Sequence, residues 1–536
     1  MKKIMTIAVL LGIAGAAAAP YIIGSQIESV TQEQTDISDQ QLKQAVKTSP
    51  YLKDASFTLE SYEKGYASSV AKSLLKIETI VPTDGGEPLV IEVPITSEIS
   101  HGPYLGESGF GLAKVISRPD IEKMELSEAI KADTFTILDV IDFSGNLDES
   151  VTVKPVTFDD DSGTVIEIEG MQVNVATTLA NRLDFDGTIE IKGLKATNKD
   201  KGEHVFQLQP FGIDVESTGD SETASGDYKL KVGKIDVVGG EDFTASIQSI
   251  GANGTYKTVQ GISMALGEHE MTLANLEFNS PASLPAPVTI PELKFKSLAE
   301  EGESNTVNFA ANYHATFDDS LAAVIPLPVS VKTADIDVKI NSLPISALEA
   351  YMELVQKLSD PNQVEVATSG IEEQLPEILS TIINQAASLV ASVKVDTEDG
   401  NLNGDLDVAF TSDKKLTKDD VMGLMMSGED PSVFLSLLAG KGSLYLDKGV
   451  TDKAEMTPMV QMMGAPFVKL EGDAFTSELL IKDGEILVNG EVMPLFGATE
   501  SEMSAEPPPI SLDDLSEEEK AELKALMEGM AAEAAE

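Results

Sequence analysis

At 536 residues the chain is long enough for several domains or one extended one, and a hydrophobic share of 42% lets it bury a core. Its formal net charge of −51, from 38 basic and 89 acidic side chains, argues against nucleic acid as a partner and against broad docking on anionic lipid. Cys is absent, which excludes thiol catalysis, disulfides and thiolate metal sites; with Trp absent too and aromatics at 5%, the core must be largely Val, Ile, Leu and Ala, which suit pleated sheet.

The chain opens with Lys2 and Lys3, then runs apolar from Ile4 to Ile23, with Thr6 the only polar side chain before Tyr21. Twenty residues at the helical rise span roughly 30 Å, the thickness of a hydrocarbon core, whereas a signal-peptide core is about 7–15 residues long. Ala16–Ala19 has the small residues of a cleavage site, but Pro20 directly after it opposes cleavage. Residues 1–25 are therefore expected to persist as a signal-anchor helix, against the rival of cleavage after Ala18. The next basic residue is Lys43, and Glu28, Glu33, Asp36 and Asp39 precede it. The positive-inside rule then leaves the N-terminus cytoplasmic and the bulk in the periplasm, a single-pass inner-membrane topology.

Residues 26–48 read as a helix leaving that anchor. From Ser56 the pattern changes to period-two alternation, first in "SFTLESYEKGYASSVAKSLLKIETIV" and "EPLVIEVPITSEIS" around the turn signal "PTDGG". Alternation recurs through "ESVTVKPVTFDDDSGTVIEIEGMQVNVATT", "LDFDGTIEIKGLKATNKDKGEHVFQLQPFGIDVES" and "GDYKLKVGKIDVVGG", at spacings too irregular for a formal repeat. Two helices interrupt it at about 345–390. "LPISALEAYMELVQKLSDP" stops at Pro361, and "SGIEEQLPEILSTIINQAASLVASV" sets Ile371, Leu375, Ile378, Leu379, Ile382, Ala386 and Leu389 on one stripe. Hairpins follow at Asp399-Gly400 and Asp483-Gly484, with short helices near Lys418–Met426 and Asp452–Met463 between them. Residues 496–536 form an acidic, Pro-containing tail. The expected fold is mainly β: an elongated, curved antiparallel sheet with a minority of helices, in a domain spanning 26–495.

The chain resembles the YdgA-like family of bacterial envelope proteins, a domain of unknown function. The likeness rests on the anchor running into "GSQIES", on "SYEKGYASS", on "SHGPYLGESGFGLAKV" and on the closing "SELLIKDGEILVNGEVM". It implies a membrane-tethered protein facing the periplasm. A looser analogy to the β-grooves of AsmA-like envelope proteins implies contact with lipid or another apolar ligand. The acidic tail departs from the family pattern.

Chemistry is sparse. His101 in "SHGPYLG", one of four His with His204, His269 and His314, is the single candidate for catalysis, as a general base served by Glu98 or Ser100. Its plainer reading is a hydrogen-bonded His that fixes a strand end. "GEHE" around His269 lacks the second His of a zinc helix and reads as solvated surface. "FDDDSG" and "DTEDGNLNGDLD" lack the spacing of a calcium loop, and "LLAGKGSLYL" lacks that of a phosphate loop. No metal or cofactor is expected. Met422, Met425 and Met426 on one helix and Met456, Met459, Met462 and Met463 on another offer ordinary core filling, a pliable apolar binding surface or soft Cu(I) ligation.

The leading expectation is a non-enzymatic binding or scaffolding protein of the envelope that handles lipid or an apolar protein segment through the Met helices and an apolar inner sheet face. An envelope hydrolase using His101 is the alternative, and a structural, homo-oligomer-forming component is a third.

Overall fold

The computed structural model describes the chain from Leu52 to Met493 apart from short internal stretches, the longest being residues 122–129 and 259–265, together with scattered positions between Gln32 and Val46. The expected anchor, 1–25, and the acidic tail, 496–536, lie outside the described residues. No described helix is long and apolar enough to cross a membrane.

One antiparallel sheet of 27 strands holds the molecule together, so the fold is mainly β with a few helices. It opens with β1 (Leu52–Lys64), β2 (Ser68–Pro82), β3 (Pro88–His101), β4 (Ala113–Pro119), β5 (Phe135–Ile141) and β6 (Asn146–Val153), each paired with the next. The stretch expected as one arm of the first hairpin is therefore two antiparallel strands, with the chain reversing between Lys64 and Ser68. Next come short strands in closely spaced pairs: β7 (Val156–Asp159), β8 (Thr164–Ile168), β9 (Met171–Thr178), β10 (Phe185–Ile191), β11 (Leu194–Asn198), β12 (His204–Leu208), β13 (Phe211–Thr218), β14 (Ser225–Val232) and β15 (Ile235–Gly239). Long strands resume with β16 (Phe243–Lys257), β17 (Gly267–Asn279), β18 (Val288–Glu301), β19 (Thr306–Thr316) and β20 (Val331–Pro344).

The register explains the short pairs. β6 and β7 are one strand broken at Lys154-Pro155, and β8 and β9 break at Glu169-Gly170 directly opposite. Breaks at Lys192-Gly193, Gln209-Pro210 and Gly233-Lys234 fall on the same line, which then meets Gln248-Ser249 in the unbroken β16. Proline gives the ladder no donor, and Gly170 (φ 118°) and Gly193 (φ 156°) adopt backbone that a side chain disfavours. Hydrogen bonds still join neighbouring strands at the breaks, from Lys192 N–H to Gly170 O at 2.9 Å and from Gly233 N–H to Pro210 O at 3.0 Å.

Each break adds one residue to the alternation, as a β-bulge does, and the apolar phase slips with it. Val151 and Val153 are followed by Val156 and Phe158, and Ile166 and Ile168 by Met171 and Val173, all eight buried. The apolar face thus stays on the same side through an aligned crease. Strands on both sides of the crease, β6 and β9 on one and β7 and β8 on the other, share one core with β1–β3 and β5, built of Phe57, Leu75, Val93, Ile137, Val151, Phe158, Ile166 and their neighbours, with Leu194 and Ala196 of β11 and Leu42 and Val46 of the N-terminal helical residues packed against it.

Beyond β20 the helix pair appears as α2 (Ile345–Ser359) and α3 (Val364–Asn384), after the short α1 (Ser320–Val324). α3 keeps Pro376 inside it, buried, but ends earlier than its apolar stripe implied. Ala386 has φ 51°, and Leu389 already belongs to β21 (Ser388–Thr397), because the strand claims the same apolar residues for cross-strand pairing. β22 (Gly400–Phe410), α4 (Lys418–Met426), α5 (Pro431–Leu435) and β23 (Leu438–Asp447) follow. The helix expected at Asp452–Met463 is two helices, α6 (Lys448–Lys453) and α7 (Thr457–Gly464), separated where Glu455 takes φ 56°. β24 (Lys469–Glu471), β25 (Ala474–Lys482), β26 (Glu485–Val488) and β27 (Glu491–Val492) close the sheet.

Candidate functional site

Side chains directly opposite each other in antiparallel strands share a face. One such row runs Val151, Val173, Ile189, Ile213, Leu230, Ala252, Met271, Phe295, Tyr313, Ile336, Val393, Gly404, Leu444, from β6 to β23 without a charged residue. The row beside it runs Val153, Met171, Ile191, Phe211, Val232, Ile250, Leu273, Leu293, Ala315, Ala334, Val395, Leu402, Leu446, again without charge. The opposite face is polar. Its row from Asp214 passes through Lys229, Asn253, Glu270, Lys296, Asn312 and Asp337, with Lys296 and Glu270 paired at 2.7 Å and Asn312 donating to Asp337 at 3.0 Å.

The apolar face is buried at one end and open at the other. Val151 is 1% exposed, whereas Met271, Tyr313 and Ile336 in the same row are 39%, 50% and 44% exposed. From β16 to β23 this open band crosses eight strands, about 34 Å at the usual strand spacing. Exposed apolar surface on that scale marks a binding surface in most proteins that carry it. We take it as the candidate site.

A polar element is built into the band. Tyr228 Oη lies 3.0 Å from His269 Nδ1, and the two rings stack 5.7 Å apart although β16 runs between their strands. Gly254 makes this possible: a Cβ there would sit 2.5 Å from His269 Nδ1 and 3.0 Å from Tyr228 Cε1. His269 is thus a half-buried member of the apolar face and not the solvated residue its acidic neighbours suggested. Glu268 and Glu270 point the other way by alternation.

The other expected residues lie elsewhere. His101 Nε2 is 3.2 Å from Ser69 Oγ, on the face opposite to Glu98 and Ser100. Glu98 itself faces Arg118, at 3.9 Å. α4, which carries Met422, packs on α3, whereas α7, which carries Met459 and Met462 and follows Met456, packs on α6. Met422 is half-buried, and Met456, Met459 and Met462 are exposed, Met462 by 78%. The side chains of Met425, Met426 and Met463 lie outside the described residues. No group of three or more His, Asp or Glu suited to a metal occurs among the described residues.

Two further places carry chemistry. A cavity of about 610 Å³ lies over β21–β26, where Val390, Asp407, Lys441, Leu480 and Leu487 form one paired row of the polar face. Asp405 and Glu478 line it too, so it is a mixed, acidic hollow. Within the closed end of the sheet, Asp139 and Glu149 sit opposite each other in β5 and β6, 0% and 8% exposed. Burial pushes the Glu149 carboxyl up to about 7, against the opposing pull of the Arg182 guanidinium.

Residues 1–496 match the family described as "Bacterial protein of unknown function (DUF945)". The chain belongs to that family. No curated protein and no solved structure matches this DUF945 chain.

Proposed function

We propose that this DUF945 protein is a membrane-anchored envelope protein that binds lipid or a comparable apolar chain, without chemistry of its own, and that it belongs among the YdgA-like periplasmic proteins. The observation that carries this reading is the uncharged paired row from Leu230 to Leu444, with Met271, Tyr313 and Ile336 left 39–50% exposed. Leaving such side chains wet costs each roughly 1 kcal/mol or more of the transfer energy that burial would return, and a bound acyl chain recovers it. The Tyr228–His269 pair adds one hydrogen-bonding group beside the apolar band, where a ligand with a polar end finds a partner. The apolar stretch Ile4–Ile23 supports residence at a bilayer, the source of such ligands.

The test is extraction of the full-length protein from its native membrane in mild detergent, followed by mass spectrometry of what remains bound. Co-purifying lipid that is displaced in Ile336→Asp is the expected result. Repeated isolation with neither lipid nor an apolar partner, in a folded protein, refutes the reading.

A further inference from the structure

Three exposed aromatic side chains stand together at one end of the sheet. Tyr104 and Phe110 face each other across the β3–β4 loop with ring centroids 5.5 Å apart, and Phe143 lies in the β5–β6 turn beside it. They are 66%, 71% and 58% exposed. The loop that presents them is tightly built. Leu105 N–H donates to Gly109 O at 2.8 Å, Gly111 N–H to Pro103 O at 3.1 Å, and Leu112 N–H to Ile141 O at 2.8 Å, which ties the loop to the strand before Phe143. Leu105, 4% exposed, pins the loop from beneath. A rigid loop that buries its Leu and turns its two aromatics outward presents a surface and has not merely failed to pack.

The path of the chain says what that surface meets. Asp39 accepts a hydrogen bond from Phe57 N–H at 3.0 Å, and Lys43 senses the charge of Asp54. The helical residues between Gln32 and Val46 therefore run antiparallel to β1, and Gln32 points toward the Lys64 end of that strand. The β1–β2 turn at this end bonds to His101, the residue before the aromatic loop, through His101 N–H to Ala67 O at 2.9 Å. The described chain thus begins, at Gln32, toward the end of the sheet that carries Tyr104, Phe110 and Phe143, and the apolar stretch Ile4–Ile23 precedes it in the sequence by eight residues.

We infer that this aromatic rim seats in the headgroup region of the bilayer to which Ile4–Ile23 attaches the chain. The inference rests on the membrane-anchored reading above. Glu107 in the loop and Asp142 in the turn, on a protein of net charge −51, set the preference for a zwitterionic surface over an anionic one. Tyr and Phe at the polar–apolar boundary supply the attraction.

The chain contains no Trp, so one introduced Trp reports alone. The full-length Phe110→Trp protein, with Phe143→Trp as a second reporter, is reconstituted into phosphatidylcholine vesicles with and without brominated acyl chains. The expected result is blue-shifted emission and loss of most of it to the brominated lipid at both positions. Val90→Trp, near the other end of β3 and 41% exposed, is expected to keep its emission. Unquenched emission from both the Phe110→Trp and the Phe143→Trp proteins, in vesicles with which they float, overturns the rim proposal and leaves the anchor standing. A folded protein that does not float removes the anchor, and the rim proposal with it.

Discussion

The same row of paired side chains begins at Val151, 1% exposed, and reaches Tyr313, 50% exposed, without changing its chemistry. What differs between the two regions is the crease. From β6 to β16 each strand carries an extra residue on one line, and at the β6 end the strands on both sides of that line share a common core with β1–β3. Beyond β18 the strands run on without a crease, and the face that is core at one end of the molecule is surface at the other. Apolar alternation along a strand says that one face shuns water; whether that face becomes a core or a binding surface depends on what the backbone does between strands.

Truncation separates the two regions most. Leu75 is 2% exposed within the closed core, and Leu75→Ala is expected to cost about 2–5 kcal/mol through lost burial and the cavity left behind. Ile336→Ala, at 44% exposure on the open band, is expected to cost roughly 1 kcal/mol or less. Urea midpoints of the two variants check this, and equal losses would mean that the open band is packed in solution.

A titration separates the regions next, because Glu149, whose carboxyl burial raises, lies in the closed one. Glu149 titrates at about 7 when folded and near 4.5 when unfolded, so the folded state binds the extra proton between those values. Stability is therefore expected to fall as pH rises from about 4.5 to about 7, by roughly 3 kcal/mol at most, and to be insensitive to this group outside that window. Glu149→Gln should flatten that part of the profile, measured as urea midpoint against pH. An unchanged slope would mean that the carboxyl is hydrated in solution.

Gly254→Val acts at the junction of the two regions. Its side chain needs the space where Tyr228 and His269 meet, with Glu268 O only 2.6 Å from the Cβ position. Overpacking of this kind costs about 1–3 kcal/mol. Nuclear magnetic resonance of the His269 ring should show the stacked environment lost, while the closed core melts as before.

Much of the sheet is legible in the residues themselves: alternation marked the strands, Asp399-Gly400 and Asp483-Gly484 marked hairpins, and Pro361 lies just past the end of α2. The crease was legible as well but hid behind an apparent irregularity. "VTVKPVTF", "IEIEGMQV", "IEIKGLKA", "FQLQPFGI" and "LKVGKIDV" share one pattern, two alternating apolar residues, a two-residue break with Gly or Pro, and two more. Reading strict period two across that break shifts half of each segment to the wrong face. The site was harder. That Tyr228 and His269 meet over Gly254 depends on the pairing of three strands, and no spacing along the chain encodes it. His101 is one of only four His in the sequence, yet alternation alone, counted from Glu98 and Ser100, turns it away from both.

The smallest effect is the one that decides between two surfaces. Met456, Met459 and Met462 are exposed on α7 and the segment before it, and truncating Met462, 78% exposed, is expected to change stability by less than about 0.5 kcal/mol. If the apolar band is the binding surface, the triple replacement Met456→Ser, Met459→Ser and Met462→Ser leaves the co-purified lipid unchanged while Ile336→Asp removes it. If the triple replacement removes the lipid and Ile336→Asp does not, the pliable thioethers are the site, and the open end of the sheet serves only to carry them.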